Sequence, residues 1–310
     1  MKIYVLDQFD RAGVELAAEG ADLVLWDDPR VGNWHEDADG LMVRLTPLTA
    51  GDFVRARRLK AVCKQGVGVE SIDLAAARAH GITVCNTPGV NSEAVAELAL
   101  TLGLAVGRRV AEMDRALRSG DRVLRENYLG VESWGRTVGI VGMGNIGTKV
   151  ARKWRGAFES RLVAYDPYVS AGHWPDIPHT RASSLEEMLP QVDLLTLHLP
   201  LTQEARGMIG ARALSLMKPS AILVNAARGG IVDETALYEA LSAGRLFGAG
   251  LDVFSIEPPT AENPLVSLPN VVCTPHAAGG TLDTQRNSSL AVAQQLLDVL
   301  GGAKPWSRVA

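Results

Sequence analysis

The run from Thr137 to Gly147 constrains the fold of this chain more than any other stretch. An apolar segment ends in Gly142, Gly144 and Gly147, spaced G-x-G-x-x-G, and a helical pattern continues to Arg155. A strand, a tight turn and a helix in this order are typical of a dinucleotide-binding unit. The first glycine permits the turn, the second lets backbone approach a pyrophosphate, and the third lets the helix pack closely on the strand.

A carboxylate follows at the distance that such a unit requires. The apolar run Leu162–Tyr165 predicts a second strand, and Asp166 comes directly after it, nineteen residues beyond Gly147. An acidic residue at this position binds the ribose hydroxyls of the adenosine and would repel a 2′-phosphate. The sequence therefore favours NAD over NADP. The alternative interpretation is a structural turn whose aspartate only caps a loop.

The composition of the chain limits which other classes of function are expected. A chain of 310 residues, 47% of them hydrophobic, is long enough for about two domains with buried cores. Its net charge of −4 gives no field that would gather nucleic acid, and no apolar run approaches the ~18 residues of a membrane span. Cys63, Cys85 and Cys273 stand singly in strand-like runs, as reduced core residues do. We expect a cytoplasmic protein with no nucleic-acid or membrane partner.

Strand and helix patterns alternate along most of the chain, which predicts parallel sheets with helices on both faces. Strands are predicted at Ile3–Leu6, Leu23–Trp26, Leu41–Val43, Leu59–Cys63, Ile82–Cys85, Leu194–Leu197, Ile222–Asn225, Phe247–Leu251 and Val271–Cys273. Helices are predicted at 10–19, 50–57, 73–79, 92–106, 110–118, 183–189, 211–215, 233–242 and 281–300. Helix 92–106 is apolar on nearly all sides, so we expect it to be buried between domains. The polar stretch 166–182 is expected to be a surface excursion with solvent-facing His173 and His179.

Three polar residues follow predicted strands of the second half. Arg228, Glu257 and His276 each lie in a loop with glycine or proline, at the edge where open α/β sheets bind ligands. As a set they supply a fixed cation, a carboxylate and a titratable base.

In the first half, the loop Lys64–Asp73 contains two glycines, so its N–H groups either converge on an anion or form an ordinary turn.

These residues carry a resemblance to a known family. The chain resembles the D-isomer-specific 2-hydroxyacid dehydrogenases, and most of all their phosphoglycerate dehydrogenase-like branch. The motifs run from Leu59 to the last helix: Lys64–Asp73, Asn86–Leu98, Thr137–Gly147, His198–Thr202, Val224–Asp233, Gly250–Pro258 and Thr274–Gly279.

The resemblance implies an α/β fold of two doubly wound parallel-sheet domains. A flavodoxin-like substrate-binding domain would be discontinuous, residues 1–102 plus 281–310. A Rossmann NAD-binding domain would occupy 103–280, with the active site in the cleft between the two. A homodimer held by the segment around 105–136 is also implied.

The implied reaction is hydride transfer between nicotinamide C4 and C2 of a 2-hydroxy or 2-keto acid. His276 would be the acid/base, and Glu257 beside it favours the imidazolium and fixes which ring nitrogen faces the substrate. Arg228, with its bidentate fork, would bind the substrate carboxylate together with Lys64, Val67 and Gly68. The implied NAD contacts are Thr87, Gly142, Gly144, Asn145, Ile146, Gly147, Asp166, Leu199, Ala226, Ala227, Asp252 and Ala278.

Two departures from the family pattern leave the substrate open. Lys64 stands where the phosphoglycerate enzymes have arginine, and Glu70 where the family has aspartate. Lys64 would meet a substrate anion or pair with Glu70. The candidates are 3-phosphoglycerate/3-phosphohydroxypyruvate or a glyoxylate/hydroxypyruvate-type reduction. The family's formate dehydrogenases pair the histidine with glutamine, so Glu257 disfavours them. A different class is an NADH-sensing binding protein of the corepressor type.

Overall fold

The computed structural model describes residues 1–170 and 172–310, and these form two compact units. The first unit comprises Met1–Asn91 and Gly280–Ala310, and the second comprises Ser92–Gly279. The boundary predicted at residue 102 lies inside the helix Ser92–Gly107. This helix packs on strands and a helix of the second unit, so the contacts divide the chain before the helix.

The first unit is built on a five-stranded parallel sheet. Its strands follow the order β2-β1-β3-β4-β5, which is the flavodoxin-like order. The strands are β1 Lys2–Val5, β2 Asp22–Val24, β3 Gly40–Val43, β4 Ala61–Lys64 and β5 Thr83–Cys85. The helices are α1 Arg11–Gly20, α2 Trp34–Asp37, α3 Ala50–Arg55, α4 Leu74–Ala79 and, from the end of the chain, α12 Leu282–Leu300, with a 3₁₀ turn at Val31–Asn33.

The last part of the chain completes this first unit. Helix α12 packs along α1 so closely that a Cβ at Gly13 would overlap Ser289. Beyond α12, Arg308 forms an antiparallel bridge with Cys85 on the edge strand β5. The residues 280–310 therefore belong to the core of the first unit. No helix within residues 1–170 and 172–310 has both the length and the apolar character needed to cross a bilayer.

The second unit is built on a seven-stranded parallel sheet with the order β12-β11-β10-β9-β6-β7-β8. Renumbered within the unit, this is the Rossmann order 3-2-1-4-5-6 with one more strand at the end. The strands are β6 Thr137–Val141, β7 Arg161–Tyr165, β8 Thr180–Arg181, β9 Leu194–Leu197, β10 Ile222–Asn225, β11 Gly248–Leu251 and β12 Val271–Cys273. The predicted fold class of two doubly wound parallel sheets is thus confirmed.

Helices cover both faces of the second sheet. They are α5 Ser92–Gly107, α6 Val110–Arg118, α7 Asn145–Phe158, α8 Leu185–Met188, α9 Ala211–Leu216, α10 Glu234–Ser242 and α11 Pro264–Ser267, with 3₁₀ turns at Arg125–Tyr128 and Leu189–Gln191. Helix α5 lies directly on β10 and β11. Side chains at Gly248 and Gly250 would collide with Val106 and Leu102 of α5, so the small residues of β11 set this close packing.

The stretch 166–182 differs from its prediction as a solvated excursion. Trp174 is 4% exposed, and Ile177 is also buried. His173 and His179 are half-buried, not solvent-facing, because Trp174 draws this segment onto α7 by donating from Nε1 to Thr148 Oγ1 at 2.7 Å. The segment ends in the unpredicted strand β8, which pairs with β7. Ala171 lies outside the described residues.

The three cysteines are free thiols. Cys63 and Cys85 are fully buried partners on the adjacent strands β4 and β5, and Cys273 is half-buried. Burial raises the pKa of the Cys63 thiol, and it raises the pKa of Cys273 to about 11. A thiol with a raised pKa is a poor nucleophile. Cys63 and Cys273 therefore act as small apolar residues.

Candidate active site

The glycine turn between β6 and α7 has the shape that a bound dinucleotide requires. Gly142 adopts a φ of +94°, and a Cβ there would overlap the carbonyl oxygen of His198. A Cβ at Gly147 would overlap the carbonyl oxygen of Gly142, so the helix sits directly against the turn. A Cβ at Gly144 would meet no described atom within 4 Å. The middle glycine thus presents bare backbone to open space, next to the free N–H groups that begin α7.

Asp166 stands beside this turn. Its Oδ2 accepts the N–H of Met143 at 2.8 Å, and its Oδ1 accepts the N–H of Tyr168 at 3.0 Å. Each carboxylate oxygen keeps further lone-pair capacity for a ribose hydroxyl. The half-buried carboxylate is therefore held in place before any ligand arrives. These observations fit an NAD site at Gly142, Gly144, Asn145, Ile146 and Gly147.

The next loop along the sheet contains a buried histidine. His198 directly follows β9, and its Nε2 lies 2.8 Å from the hydroxyl of Thr196. Burial lowers the pKa of its imidazole to about 3, so the ring is neutral at physiological pH. The half-buried Leu199 follows it, with its backbone nitrogen against Gly142, and its contact with the cofactor stays a prediction.

His276 and Glu257 are in direct contact. The Nδ1 of His276 lies 2.7 Å from Oε2 of Glu257, and Oε1 of Glu257 accepts the N–H of Phe254 at 3.0 Å. The two side chains are 48% and 32% exposed. Because Glu257 occupies Nδ1, the opposite nitrogen, Nε2, is the one available to a ligand. This is the geometry of an oriented acid/base.

Asp252 supports the loop that carries His276. The Asp252 side chain is fully buried, and it accepts the Thr274 hydroxyl at 2.6 Å and the N–H groups of Ala277 and Ala278 at 2.8 and 3.0 Å. Its own carbonyl accepts the N–H of His276 at 2.7 Å. These bonds hold His276 at a φ of +53°, a conformation that a non-glycine residue adopts rarely. The structure thus gives Asp252 a supporting role, and its contact with nicotinamide stays a prediction.

Arg228 lies in the loop after β10. Asn225 shapes this loop, because its side chain accepts the N–H of Ala227 at 3.1 Å and donates to the carbonyl of Arg228 at 3.0 Å. A Cβ at Gly229 would overlap the carbonyl oxygen of Phe254, so the loop of Arg228 lies against the loop of Glu257. Arg228 itself is half-buried, and its Nη1 donates to the carbonyl of Ala227 at 2.8 Å.

Two residues of this region were not singled out from the sequence. Asn225 is one, and the other is Glu234 in the first turn of α10. Glu234 accepts the N–H of Ser255 at 2.5 Å and the amide of Asn263 at 2.9 Å, so it anchors both ends of the loop that carries Glu257. A polar residue directly after an apolar strand was the available signal for Asn225. A second acid beside the cap residue Asp233 was the signal for Glu234.

The predicted substrate residues of the first unit lie together at the carboxyl ends of β4 and β5. Gly66 donates to the Thr87 hydroxyl at 2.8 Å, and Thr87 donates its N–H back to the carbonyl of Gly66 at 3.0 Å. The side chain of Asn86 donates to the carbonyl of Val67 at 2.8 Å. Lys64 donates from Nζ to the carbonyl of Arg44 at 2.7 Å. These contacts join the two loops, and the roles of Lys64, Val67, Gly68 and Thr87 toward ligands stay predictions.

Comparison with known proteins identifies the second unit. Residues 100–278 match the family described as "D-isomer specific 2-hydroxyacid dehydrogenase, NAD binding domain". The solved TT0316 protein of Thermus thermophilus superimposes with a TM-score of 0.90 and 38% identity, covering 100% of both chains.

Two relatives of this chain carry different names. A D-3-phosphoglycerate dehydrogenase of Archaeoglobus fulgidus is 41% identical over 83% of this chain and 48% of its own length. A glyoxylate reductase of Korarchaeum cryptofilum is 38% identical over 98% of this chain and 94% of its own. The chain thus spans about half the length of the phosphoglycerate dehydrogenases that it matches.

The neutral state of His198 has a measurable consequence for stability. The imidazole of His198 has a pKa of about 3 in the folded protein and ~6.5 in the unfolded chain. At a pH between these two values, the unfolded chain therefore binds more protons than the folded protein. The free energy of unfolding therefore falls as pH is lowered through this window, by at most about 1.4 kcal/mol per pH unit from this group. We predict that the H198Q variant shows a flatter decline than the wild type.

Guanidinium chloride denaturation at pH 7, 6 and 5 measures how steeply the free energy of unfolding depends on pH in the wild type and in H198Q. The exposed His80, changed to Gln in the same way, controls for the loss of a histidine. Equal slopes in wild type and H198Q would contradict a buried, neutral His198.

Proposed function

The chain belongs to the D-isomer-specific 2-hydroxyacid dehydrogenase family, and from this premise we propose that it is an NAD-dependent reductase of small 2-keto acids that also works in the oxidative direction. The observation that carries the proposal is the contact of His276 with Glu257 on the same sheet edge as the glycine turn. The reaction needs an oriented imidazole on the sheet edge that also carries the dinucleotide turn.

In this proposal the second unit binds the cofactor. The turn from Gly142 to Gly147 takes the pyrophosphate on its N–H groups, and Asp166 takes the ribose hydroxyls. Leu199, Ala226, Ala227 and Ala278 line the site. Bound NADH supplies the hydride for the carbonyl carbon of the keto acid. The acid at Asp166 favours NAD over NADP, because a 2′-phosphate there would face a carboxylate.

The protein residues handle the proton. His276 holds a proton at Nε2 and donates it to the ketone oxygen, which becomes the hydroxyl of the product. In the opposite direction the same nitrogen accepts the hydroxyl proton. Glu257 keeps Nδ1 bonded throughout, so the ring stays oriented and its positive charge is stabilised while it holds both protons.

In the second unit the substrate carboxylate is assigned to Arg228, and in the first unit the N–H groups of the Gly66–Val69 loop are assigned to anion binding. A guanidinium binds a carboxylate through two parallel hydrogen bonds, which fixes the orientation of a small acid. The first unit then acts as the substrate-binding domain and the second as the NAD-binding domain. Candidate substrates are 3-phosphohydroxypyruvate, glyoxylate and hydroxypyruvate.

Steady-state rates on these three acids, with NADH and with NADPH, test the proposal. We predict NADH-dependent turnover of at least one of them, and a lower kcat/KM with NADPH. In H276A, kcat falls by about 10²–10⁴-fold because the proton donor is lost. The affinity for NADH stays within about twofold of wild type.

Two outcomes would contradict the proposal. A variant H276A that keeps more than a tenth of the wild-type kcat would remove His276 from the acid/base role. Tight NADH binding without turnover of any 2-keto acid would instead support an NADH-sensing binding protein.

We also propose a homodimer formed through the segment between α5 and β6. This segment exposes large apolar side chains: Val110, Leu117, Leu124, Leu129 and Trp134. It is not a loose loop, because Val131 donates its N–H to the carbonyl of Gly107 at 2.8 Å and Arg109 lies 5.1 Å from the ring of Tyr128. A held segment with exposed apolar groups is typical of a protein–protein interface.

Sedimentation equilibrium tests the dimer. The wild type is expected at twice the chain mass, and L129E, which places a charge among these apolar side chains, is expected at the mass of one chain. A wild type that sediments as a single chain at micromolar concentration would rule the dimer out.

A further inference from the structure

The described residues 167–170 and 172–179, here called the strap, include two side chains that bond to the glycine turn and the start of α7. His173 in the strap places its Nε2 2.8 Å from the carbonyl oxygen of Met143. Trp174 donates from Nε1 to the hydroxyl of Thr148 at 2.7 Å, and that hydroxyl in turn donates to the carbonyl of Gly144 at 2.8 Å. The strap thus contacts Met143, which lies between the first two glycines of the fingerprint, and Thr148, which directly follows the third.

The direction of the bond from His173 is fixed by its partner. A carbonyl oxygen only accepts hydrogen bonds, so Nε2 of His173 carries the hydrogen and donates. The bond forms both with the neutral ring in this tautomer and with the charged ring.

The bond controls one peptide of the turn. The carbonyl of Met143 and the N–H of Gly144 belong to the same planar trans peptide, in which the two groups point in opposite directions. Holding the carbonyl toward His173 therefore aims the N–H of Gly144 to the other side. The N–H of Met143 is held separately by Asp166 at 2.8 Å. Both peptides that flank Met143 are thus fixed by side chains.

Glycine makes this restraint necessary. The Met143–Gly144 peptide turns about φ of Gly144, which has no described atom near its missing Cβ, so sterics on the glycine side leave this peptide with several orientations. A turn that must order itself on binding pays conformational entropy from its binding energy. A turn that is ordered beforehand does not.

The strap is itself well fixed. Trp174 is 4% exposed, and Arg181 donates to the carbonyls of Asp166 and Val169, each at 2.6 Å, and to that of Ser170. Asp176 forms an ion pair with Arg152 of α7 at 2.7 Å. His173 therefore reaches the turn from a support that does not depend on the ligand.

We propose that His173 is a positioning residue for NAD: its hydrogen bond to the Met143 carbonyl pre-orients the Met143–Gly144 peptide so that the glycine turn receives the pyrophosphate without reordering. The inference rests on the proposed binding of NAD at this turn. It assigns a role in cofactor affinity to a histidine that lies outside the catalytic loops.

Titration of NADH fluorescence against wild type, H173A, H173Q and D176N tests the inference. H173A is expected to bind NADH about five- to tenfold more weakly, the effect of one lost hydrogen bond of roughly 1–1.5 kcal/mol. H173Q is expected within about twofold of wild type, because the glutamine amide also donates. D176N loosens a strap contact to α7 that does not touch the turn, and it is expected to match wild type.

Kinetics separate positioning from general loss of structure. In H173A the KM for NADH should rise with the dissociation constant, while kcat and the KM for the keto acid stay within twofold.

Three results would overturn the inference. H173A could bind NADH as tightly as the wild type does, H173Q could bind NADH as weakly as H173A does, or D176N could lose as much NADH affinity as H173A does. In each of these cases the wild type still binds NADH, so the proposed function stands. A wild type that fails to bind NADH overturns both.

Discussion

The site depends on one constraint: at the carboxyl edge of the second sheet, the backbones of neighbouring loops are in direct contact. At Gly142 and Gly229, the missing Cβ is replaced by a carbonyl oxygen of a neighbouring loop, those of His198 and Phe254, and at Gly147 it is replaced by the carbonyl oxygen of Gly142 in the same turn. Interiors are close-packed, so loops in such contact have little room to shift. The loop after β6 is thereby placed against the loop after β9, and the loop after β10 against the loop after β11, before any side chain contributes.

Side chains then act on this frame through the backbone. Asp252, Asn225 and Glu234 each bond to backbone groups of a loop that carries Arg228, Glu257 or His276. The same edge holds two histidines in different environments. His198 is buried and neutral, whereas His276 is half-exposed and lies against a carboxylate. Environment, not residue type, therefore separates a structural imidazole from one suited to acid/base work.

The sequence was sufficient where local chemistry dictates structure. Glycine spacing, buried parallel strands and the polar residues that follow them predicted both sheets and the loops of Arg228, Glu257 and His276. It was insufficient where a side chain bonds to distant backbone. The contacts of Glu234 and His173 depend on which loops are adjacent, and no periodicity reveals this. The short elements α2, β8 and α11 were also missed, because two to four residues give too little pattern.

The variant G229A tests the central claim most directly, that backbone contact between loops holds the His276–Glu257 pair in working geometry. A methyl group there pushes on Phe254, whose N–H is bonded to Glu257, while the glycine turn after β6 is untouched. The account predicts a fall in kcat for 2-keto acid reduction of at least about tenfold, with NADH affinity within twofold of wild type. The helical variant G156A, where the methyl group meets no described atom within 4 Å, should keep both. A kcat for G229A within twofold of wild type would contradict the account.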